Sequence, residues 1–427
     1  MSDAFEVQGL GIGRLAEEFG TPLYVYDGAE LTSRFRDLRE RLHPALEVFY
    51  SLKANPNISV CALLHRSGAR AEVSSLTELV TALRAGVPPH DIIFLGPGKS
   101  AAELAACLDA DIHAIVCENL DELALIDRAA RERGVTARVA LRVNPAFSVK
   151  GSGLTMGGKP RQFGMDEEQL LAEGPGLADR YEGVRLMGVQ VYLGTRILGE
   201  DTVVDNTRRI LDLAERVAER IGFPLETVDI GGGLGIAYFD NEKDLDLAEL
   251  TTRLNPVVEA FRTRHPDTRM IMELGRFLVA ASGTYVTRVR YTKTSMGENF
   301  AVTDGGTNHH MAAVGIGSYV KRNFPMAALE RLGEPPTEPW NITGPLCTPN
   351  DVIGKKVPMP PLRAGDLVGV QRSGAYGPTA SPVHFLSHGY PAEVLVLDGE
   401  AHLIRERDDT ESMLGRQRLY DAGPGAH

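Results

Sequence analysis

The chain of 427 residues is 43% hydrophobic and 24% charged, which is typical of a water-soluble globular protein of about two domains. Its formal net charge of -12 argues against nucleic acid or an anionic membrane surface as a partner. The four cysteines form no CxxC pair, no stretch reaches the ~18 apolar residues of a membrane span, and the start of the chain lacks a signal peptide, so we expect a cytoplasmic protein.

The chain begins with a short amphipathic segment at 12–19 and a strand at 22–26, and a regular alternation follows. Apolar, strand-like runs occur at 47–52, 70–74, 91–95, 112–117, 136–143, 184–193, 226–231 and 268–273. Segments rich in Ala, Leu, Glu and Arg lie between them, including those at 75–85, 101–108, 120–133 and 203–221. Strands that alternate with helices in this way predict a closed parallel (β/α)8 barrel of TIM type, with an open doubly wound sheet as the alternative.

After about residue 280 the hydrophobic pattern changes to a period of two, as in the segment 282–292. Further short strands are predicted near 300–303, 367–371 and 392–397. This pattern predicts a C-terminal antiparallel β domain of sandwich or Greek-key type, joined by the N-terminal strand. The predicted domains are therefore the barrel at 36–280 and the β domain formed by 1–35 and 281–427.

A Gly-rich insertion at 147–164 lengthens the connection after the fifth predicted strand. In a barrel this connection lies at the C-terminal face, where such loops shape the active site. We therefore expect the insertion to line the site.

A single lysine, Lys53, follows the first barrel strand and precedes a polar turn that contains Pro56. This order predicts a buried strand that carries Lys53 at its C-terminal end. Burial lowers the pKa of an amine and makes it a nucleophile toward carbonyl compounds. The alternative is a lysine whose head group snorkels into water at the end of the strand.

Three consecutive glycines, Gly231, Gly232 and Gly233, stand in the segment VDIGGGLG at the end of the seventh predicted strand. Glycines allow successive backbone N–H groups to converge on one anion, because no Cβ blocks its approach. The spacing matches neither a dinucleotide fold nor an NTP-binding loop. A phosphate-binding turn and an ordinary tight turn both remain open on this segment.

The last predicted barrel strand ends in the segment MELGRF, where Glu273 would face the barrel mouth and Arg276 follows Gly275. A buried glutamate is costly without a partner. A pyridine nitrogen that carries a proton would satisfy Glu273, and Arg276 could hold a phosphate. The alternative is a structural ion pair between Glu273 and Arg276.

Three further segments hold residues suited to a polar site. The segment GPLC places Cys347 in a loop with Asp351 after it, although most lone cysteines are small core residues. The segment GAYG places Tyr376 where a ligand could approach, or where a tyrosine simply packs. His309 and His310 are adjacent, but no third ligand lies at a recognised spacing, so we expect no metal and interpret them as the lining of a polar pocket.

Taken together, these motifs resemble those of the fold-type III pyridoxal-phosphate decarboxylases, the family of diaminopimelate, ornithine and arginine decarboxylases. The resemblance runs from about Pro22 to Leu397. Its motifs follow the family's order: YSLKAN, EVSSLTEL, IIFLGPGKS, LRVNP, QFG, VDIGGGLG, ELGR, GPLC with a later Asp, and GAYG. Each motif alone is weak, whereas the ordered set is highly specific. The resemblance implies decarboxylation of an amino acid with pyridoxal 5'-phosphate as cofactor.

The resemblance also implies roles for individual residues. Lys53 would carry the cofactor, and Cys347 would protonate the carbanion. Contacts to the cofactor are implied for Tyr192, Thr195, Gly231, Gly232, Gly233, Glu273, Gly275, Arg276 and Tyr376. Positions that line the barrel around them are implied for Glu72, Ser74, Glu78 and Arg142. Because the family takes its cysteine from the partner subunit, a homodimer with shared active sites is implied.

Three positions depart from the family's pattern. Tyr192 stands where the family has a histidine that stacks on the cofactor ring. Thr348 follows Cys347, where the family has Asp or Glu to bind the distal ammonium of the substrate. Ala312 stands about where diaminopimelate decarboxylases have an arginine for the distal carboxylate.

These departures argue against free diaminopimelate, ornithine or arginine, because a buried charge without its partner costs several kcal/mol. They favour a branch that resembles natural-product and siderophore enzymes, whose amino-acid substrate is acylated, citrylated or bound to a carrier protein. We expect contacts to such a substrate from Asn308, His309, Thr348 and Asp351. The alternatives are a diaminopimelate decarboxylase, a racemase, for which the family would have Arg in place of Glu273, and a non-catalytic regulator that has lost its cofactor anchors.

Overall fold

The computed structural model describes residues 3–148, 154–314 and 322–420. The chain divides into two compact units. The barrel unit consists of Gly28–Gly283 with Arg372–Ala375, and the β unit consists of Met1–Asp27, Thr284–Gln371 and Tyr376–His427. The helix Gly28–Arg41, which the predicted boundary at residue 36 would divide, therefore lies whole in the barrel unit.

Eight parallel strands pair in a closed ring in the barrel unit. They are β1 (Leu46–Ser51), β2 (Arg70–Val73), β3 (Ile92–Phe94), β4 (Ala114–Cys117), β5 (Ala137–Asn144), β6 (Val184–Gln190), β7 (Thr227–Gly232) and β8 (Arg269–Leu274). Each strand pairs with the next one, and β8 pairs with β1, which closes the ring. The predicted barrel is confirmed, and the open sheet is excluded by this closure.

One helix precedes the first barrel strand, and the others lie between or after the strands. The helices of the barrel unit are Gly28–Arg41, Ile58–Arg66, Leu76–Arg84, Ala101–Ala110, Leu120–Arg133, Glu167–Glu173, Glu200–Ile221, Leu247–Arg264 and Arg276–Val279. Their ends follow from local chemistry: Ser100 and Glu103 form a capping box at one start, and Gly134 adopts the left-handed conformation at one end. Short strands occur at Leu154–Thr155, Met165–Asp166 and Gly194–Thr195.

The interior of the barrel is apolar, as its strand-like runs predict. Its buried cluster contains Phe49, Ile93, Leu95, Ala114, Val116, Ala140, Met187 and Ile271. Strands of a parallel sheet are covered on both faces, which explains why these runs are continuous rather than alternating. The buried carboxylates Glu72 and Glu273 lie near the C-terminal ends of their strands.

The β unit contains the N-terminal strand Leu23–Asp27 and the strands of the C-terminal part. These are β9 (Gly283–Ser295), β10 (Glu298–Thr303), β11 (Met326–Ala328), β12 (Glu338–Thr343), β13 (Val352–Met359), β14 (Leu367–Val370), β15 (Ala392–Leu397) and β16 (Glu400–Arg405). Short strands at Glu6–Val7 and Leu10–Gly11, and helices at Ile12–Phe19 and Thr410–Leu414, complete the unit.

The sheet of the β unit is mixed, whereas the sequence pattern predicted an antiparallel one. The N-terminal strand pairs parallel to β15, and β10 pairs parallel to β12, while most other pairings are antiparallel. The two parallel pairings join strands far apart in sequence, so no hairpin turn in the sequence predicts them. The predicted joining of the N-terminal strand to this sheet is confirmed. Among the described residues, no helix has the length and apolar character needed to cross a membrane.

Candidate active site

Lys53 lies immediately after β1, in the one-turn helix Leu52–Ala54. Its Nζ donates a hydrogen bond of 2.9 Å to Oε2 of Glu72, a buried residue at the end of β2. The turn is closed by Asn55, whose N–H donates to the Leu52 carbonyl and whose backbone oxygen accepts from the Tyr50 hydroxyl. The Lys53 side chain is 38% exposed rather than buried, and its ammonium is held at the barrel mouth by this buried carboxylate.

Two carboxyl groups beside Lys53 differ in their ionisation. Burial acts to raise the pKa of Glu72, but the Lys53 ammonium and hydrogen bonds from Ser51 and Ser74 hold it below its ordinary value. Burial and the charge of Glu72 raise the pKa of Glu78 to about 7. Near neutral pH, Glu72 is therefore the anion beside Lys53, while Glu78 is poised to gain or lose a proton.

Glu273 is fully buried near the C-terminal end of β8. Its side chain was predicted to face the barrel mouth. Oε1 accepts a hydrogen bond of 2.8 Å from Nε2 of Gln190, and Oε2 has no hydrogen-bond donor among the described residues. Burial and the charge of Glu72 raise the pKa of Glu273. Arg276 donates instead to the Tyr238 hydroxyl at 2.9 Å, so the alternative of a Glu273–Arg276 ion pair is wrong.

The three glycines after β7 are required by close packing of backbones. Gly231 and Gly233 have φ of +63° and +90°, and a Cβ on Gly232 would lie 1.6 Å from the Glu273 carbonyl oxygen. A Cβ on Gly233 would lie 2.0 Å from the Gly194 carbonyl oxygen. The ordinary-turn interpretation therefore accounts for the glycines by itself, and their contact with a phosphate stays a prediction.

The ring of Tyr192 lies 5.8 Å from Nζ of Lys53, measured to the ring centroid, so this predicted ring-stacking residue is at the same end of the barrel. Thr195 pairs with Leu154 in the two-residue strands that join the insertion to the region after β6. Residues 149–153 of the predicted insertion lie outside the described residues. Its described part is joined to the segment after β6 by this pairing, and its role in lining the site stays a prediction.

Arg142, predicted to line the barrel, forms a buried ion pair of 2.6 Å with Glu118. The second oxygen of Glu118 accepts from the N–H of Gly164, which closes the insertion against β4 and β5. Sequence reasoning did not single out Glu118, Gln190 or Asp229. Asp229 stands inside the glycine motif and could have been noticed as an acid in an apolar strand.

Cys347 lies in a loop of the β unit as an exposed free thiol, so the alternative of a core cysteine is wrong. Asp351 is buried, and its carboxylate accepts hydrogen bonds from the N–H of Leu346 and from the N–H and hydroxyl of Thr307. The structure therefore uses Asp351, which we predicted to contact the substrate, as the anchor of the Cys347 loop. Thr348 is half-buried beside Cys347, and its carbonyl accepts from the Asp351 N–H.

Asn308 and His309, which were also predicted to bind the substrate, are buried among residues of the β unit. The ring of His309 contacts the Tyr285 hydroxyl, the Asn308 amide and the Gly389 carbonyl. Burial lowers the pKa of His309 to about 4, so the ring is neutral at pH 7. The polar atoms of both side chains are engaged in this packing, and their contact with a substrate stays a prediction. Among the described residues no His, Cys, Asp and Glu cluster could hold a metal ion.

Tyr376 is half-buried and has a φ of +55°, in the left-handed region that an aromatic residue rarely adopts. Such a conformation costs of order 1–3 kcal/mol and is concentrated at functional sites. The strain agrees with the predicted contact between Tyr376 and a ligand and does not identify the ligand.

A family model described as the pyridoxal binding domain of pyridoxal-dependent decarboxylases matches residues 28–280. The chain is similar to the L-glutamyl-[BtrI acyl-carrier protein] decarboxylase of Niallia circulans, with 41% identity that covers 95% of this chain and 96% of the relative. It is 30% identical to the diaminopimelate decarboxylase of Aquifex aeolicus, over 94% of this chain and 93% of that protein.

Solved structures of diaminopimelate decarboxylases have the same fold. The enzyme of Helicobacter pylori complexed with L-lysine superposes with a TM-score of 0.84 at 26% identity, covering 94% of this chain and 98% of that one. The enzyme of M. jannaschii in co-complex with L-lysine gives a TM-score of 0.86 at 27% identity, covering 98% and 96%.

The close approach of Gly232 to Glu273 gives a direct test of the turn. Gly232→Ala should lower the free energy of unfolding by about 1–3 kcal/mol or more, because the new Cβ overlaps the Glu273 carbonyl oxygen. Gly98→Ala is the matched control, since a Cβ there meets nothing within 4 Å, and it should change stability by less than about 0.5 kcal/mol. Urea unfolding measures both. Equal stability of the two variants would contradict the packing seen at Gly232.

Proposed function

We propose that this chain, which belongs to the family of pyridoxal-dependent decarboxylases, removes the α-carboxylate of an amino acid whose distal end is joined to a carrier by a neutral linkage. A glutamyl group on an acyl-carrier protein is the leading candidate, because the relative from Niallia circulans is named for that substrate and shares 41% of its residues with this chain. Conjugates in which the distal end is N-acylated or citrylated belong to the same chemical class.

The observation that supports this substrate class is that the Cys347 loop offers no unengaged carboxylate to a substrate. Thr348 stands where a family member would have an acid. Asp351 is the only carboxylate between Gly344 and Asp351, and it accepts one hydrogen bond from Leu346 in this loop and two from Thr307. A free distal ammonium would therefore meet no counter-charge from this loop. An amide or thioester carries no such charge and can accept a hydrogen bond from the Thr348 hydroxyl.

Pyridoxal 5'-phosphate fits the barrel mouth on one structural test. The Oε2 atom of Glu273 is buried without a donor, and a pyridine N–H is a donor of the kind that this atom needs. When bound, this cofactor accepts the electron pair that CO2 leaves behind at the α-carbon. Lys53 would hold the cofactor, while Glu72 keeps the lysine side chain oriented. The ring of Tyr192 would pack on the cofactor ring.

The phosphate of the cofactor would be held by donors around the glycine turn. The proposed groups are the backbone at Gly231, Gly232, Gly233 and Gly275 and the side chains of Thr195, Arg276 and Tyr376. Arg276 is already oriented by its hydrogen bond to Tyr238, and Tyr376 is held in a strained backbone conformation. An anion at this position would also offset the local positive charge of Arg276.

Cys347 is proposed as the acid that returns a proton to the α-carbon, acting in the barrel of a partner subunit. Its thiol is exposed on the β unit, in a loop anchored from behind by Asp351, as a group offered to a second chain would be. The assembly that follows is a homodimer with two shared sites, in which each chain contributes one lysine and one cysteine.

Substrate choice can be tested by CO2 release. We expect kcat/KM for glutamate loaded on an acyl-carrier protein to exceed that for free glutamate, diaminopimelate or ornithine by roughly 100-fold or more, because discrimination through an unmatched buried polar group is of that order. Thr348→Asp should raise activity on a free diamino acid, since it restores a counter-charge, and Thr348→Val is the control without one. Turnover of free diaminopimelate as efficient as any conjugate would assign the chain to lysine biosynthesis instead.

The cofactor-bearing lysine can be tested by borohydride reduction of the holo protein, followed by peptide mass mapping. The pyridoxyl label should be found on Lys53, the lysine at the barrel mouth. Lys99 is the internal control: it is buried and already donates to Glu122 and to the carbonyls of Gly96 and Val116, so it should carry no label. A label on Lys99 or any other lysine would refute the assignment.

The shared site can be tested by subunit complementation. Neither Lys53→Ala nor Cys347→Ala homodimers should be active, whereas mixed dimers regain one intact site and up to about a quarter of wild-type activity in an equimolar mixture, by random pairing of chains. Cys61→Ala, which alters a buried thiol, should give no complementation with Lys53→Ala beyond its own activity. No recovery after proven subunit exchange would place both residues of a site on one chain.

A further inference from the structure

Three buried oxygen atoms that meet no hydrogen-bond donor in the described part of the chain belong to side chains on neighbouring strands at the mouth of the barrel. They are Oε1 of Gln190 on β6, Oδ2 of Asp229 on β7 and Oε2 of Glu273 on β8. The register places Gln190 beside Asp229, and the Gln190 amide donates to Glu273 at 2.8 Å. The Asp229 and Glu273 carboxyl groups are within hydrogen-bonding reach of each other.

This cluster has fewer hydrogen-bond donors than acceptor oxygens. The Gly231 N–H donates a hydrogen bond to Oδ1 of Asp229, and the Gln190 amide donates one to Oε1 of Glu273. The second oxygen of each carboxylate has no donor among the described residues. Two adjacent carboxylates that are both ionised would repel each other in a buried site. One proton between them removes the repulsion and supplies the missing donor, and the cluster then carries a single negative charge.

We propose that Asp229 is a positioning residue. Its carboxyl group stays protonated, and the resulting O–H donates a hydrogen bond to the carboxylate of Glu273. The Asp229 hydroxyl and the Gln190 amide then hold Glu273 from two sides, with the remaining lone pair of Oε2 directed to an incoming N–H. Resting on the proposed function, this leaves Glu273 as the one charged member of the pair, available to accept from the pyridine N–H that the site would hold. The proton itself is a property of the protein without cofactor.

The charged groups around the pair favour this arrangement. Burial and the charge of Glu273 raise the pKa of Asp229 well above its ordinary value, and Glu72 acts in the same direction from β2. Burial and Glu72 raise the pKa of Glu273 as well, whereas Lys53 and the hydrogen bond with Asp229 act to lower it. The cation therefore favours ionisation of Glu273, and Asp229 is the group that retains the proton.

The retained proton has a defined effect on stability. The folded chain holds a proton that an unfolded aspartate, with a pKa of about 3.9, releases. Stability from this group is therefore lost as the pH rises above that value, and one extra proton in the folded state increases the unfolding constant about tenfold per pH unit. The increase ends where the folded pair itself ionises.

The test is urea unfolding of the full-length, cofactor-free chain at a series of pH values. Asp229→Asn replaces the O–H donor by an N–H donor and should reduce the proton difference between folded and unfolded chains by about one. Glu273→Gln and the double variant should each reduce this proton difference by the same one proton, because the two carboxyl groups share a single proton in the wild-type protein. Asp127→Asn is the control for loss of a buried aspartate that accepts a backbone N–H, here from Gly183, and should follow the wild-type pH dependence.

Infrared spectra of the same samples give an independent reading. The carbonyl band of a protonated carboxyl group at pH 7 should be weaker in Asp229→Asn than in the wild-type protein. A wild-type pH dependence of unfolding in Asp229→Asn, or loss of two protons in the double variant, would overturn the proposal.

Cofactor titration followed by absorbance tests the positioning role. Asp229→Ala should weaken the affinity for pyridoxal 5'-phosphate about tenfold or more, as expected for loss of a hydrogen bond to a charged group, and Asp229→Asn should restore it. Unchanged affinity in Asp229→Ala would show that Asp229 does not position Glu273. If the wild-type chain bound no cofactor, the proposed function would fail, while the unfolding result would still decide the shared proton.

Discussion

The site depends on one constraint: negative charge is buried at the end of an apolar barrel and has to be compensated there. Glu72, Asp229 and Glu273 are each nearly inaccessible to water, and the barrel interior below them is hydrocarbon. Lys53 compensates Glu72 directly. No cation among the described residues is paired with the other two carboxyl groups, so protons or a ligand must provide the balance. In the proposed function, the ring nitrogen of the cofactor supplies part of this balance.

The backbone supports this arrangement as much as the side chains do. The glycine turn after β7 brings its main chain against the Glu273 carbonyl on one side and against the region after β6 on the other. Because side chains would separate these strands, the turn determines how closely the groups on β6, β7 and β8 approach one another. The hydrogen bond from Gln190 to Glu273 and the contact between Asp229 and Glu273 both depend on that spacing.

The β unit follows a different principle, in which buried polar groups satisfy one another. Asp351 accepts hydrogen bonds from Leu346 and Thr307, and the His309 ring contacts Tyr285, Asn308 and Gly389. The hydrogen bonds to Asp351 anchor the loop that exposes Cys347, and burial keeps the His309 ring neutral at pH 7. Substrate preference in the proposed function therefore comes from the absence of an available charge rather than from an added one.

Sequence by itself determined the barrel, the order of its motifs and the family, because continuous apolar runs that alternate with amphipathic helices have few other solutions. It placed Lys53, Glu273 and the three glycines at strand ends, since a strand's end can be read from its hydrophobic run. Tertiary structure alone decided which polar residues are used internally. Asn308, His309 and Asp351 looked available in the sequence but are buried, while Gln190 and Asp229 looked ordinary but meet Glu273. The parallel pairings of the β unit could not be predicted from the sequence pattern either. Hydrogen-bond partners far apart in the chain are selected by packing, and no local pattern records them.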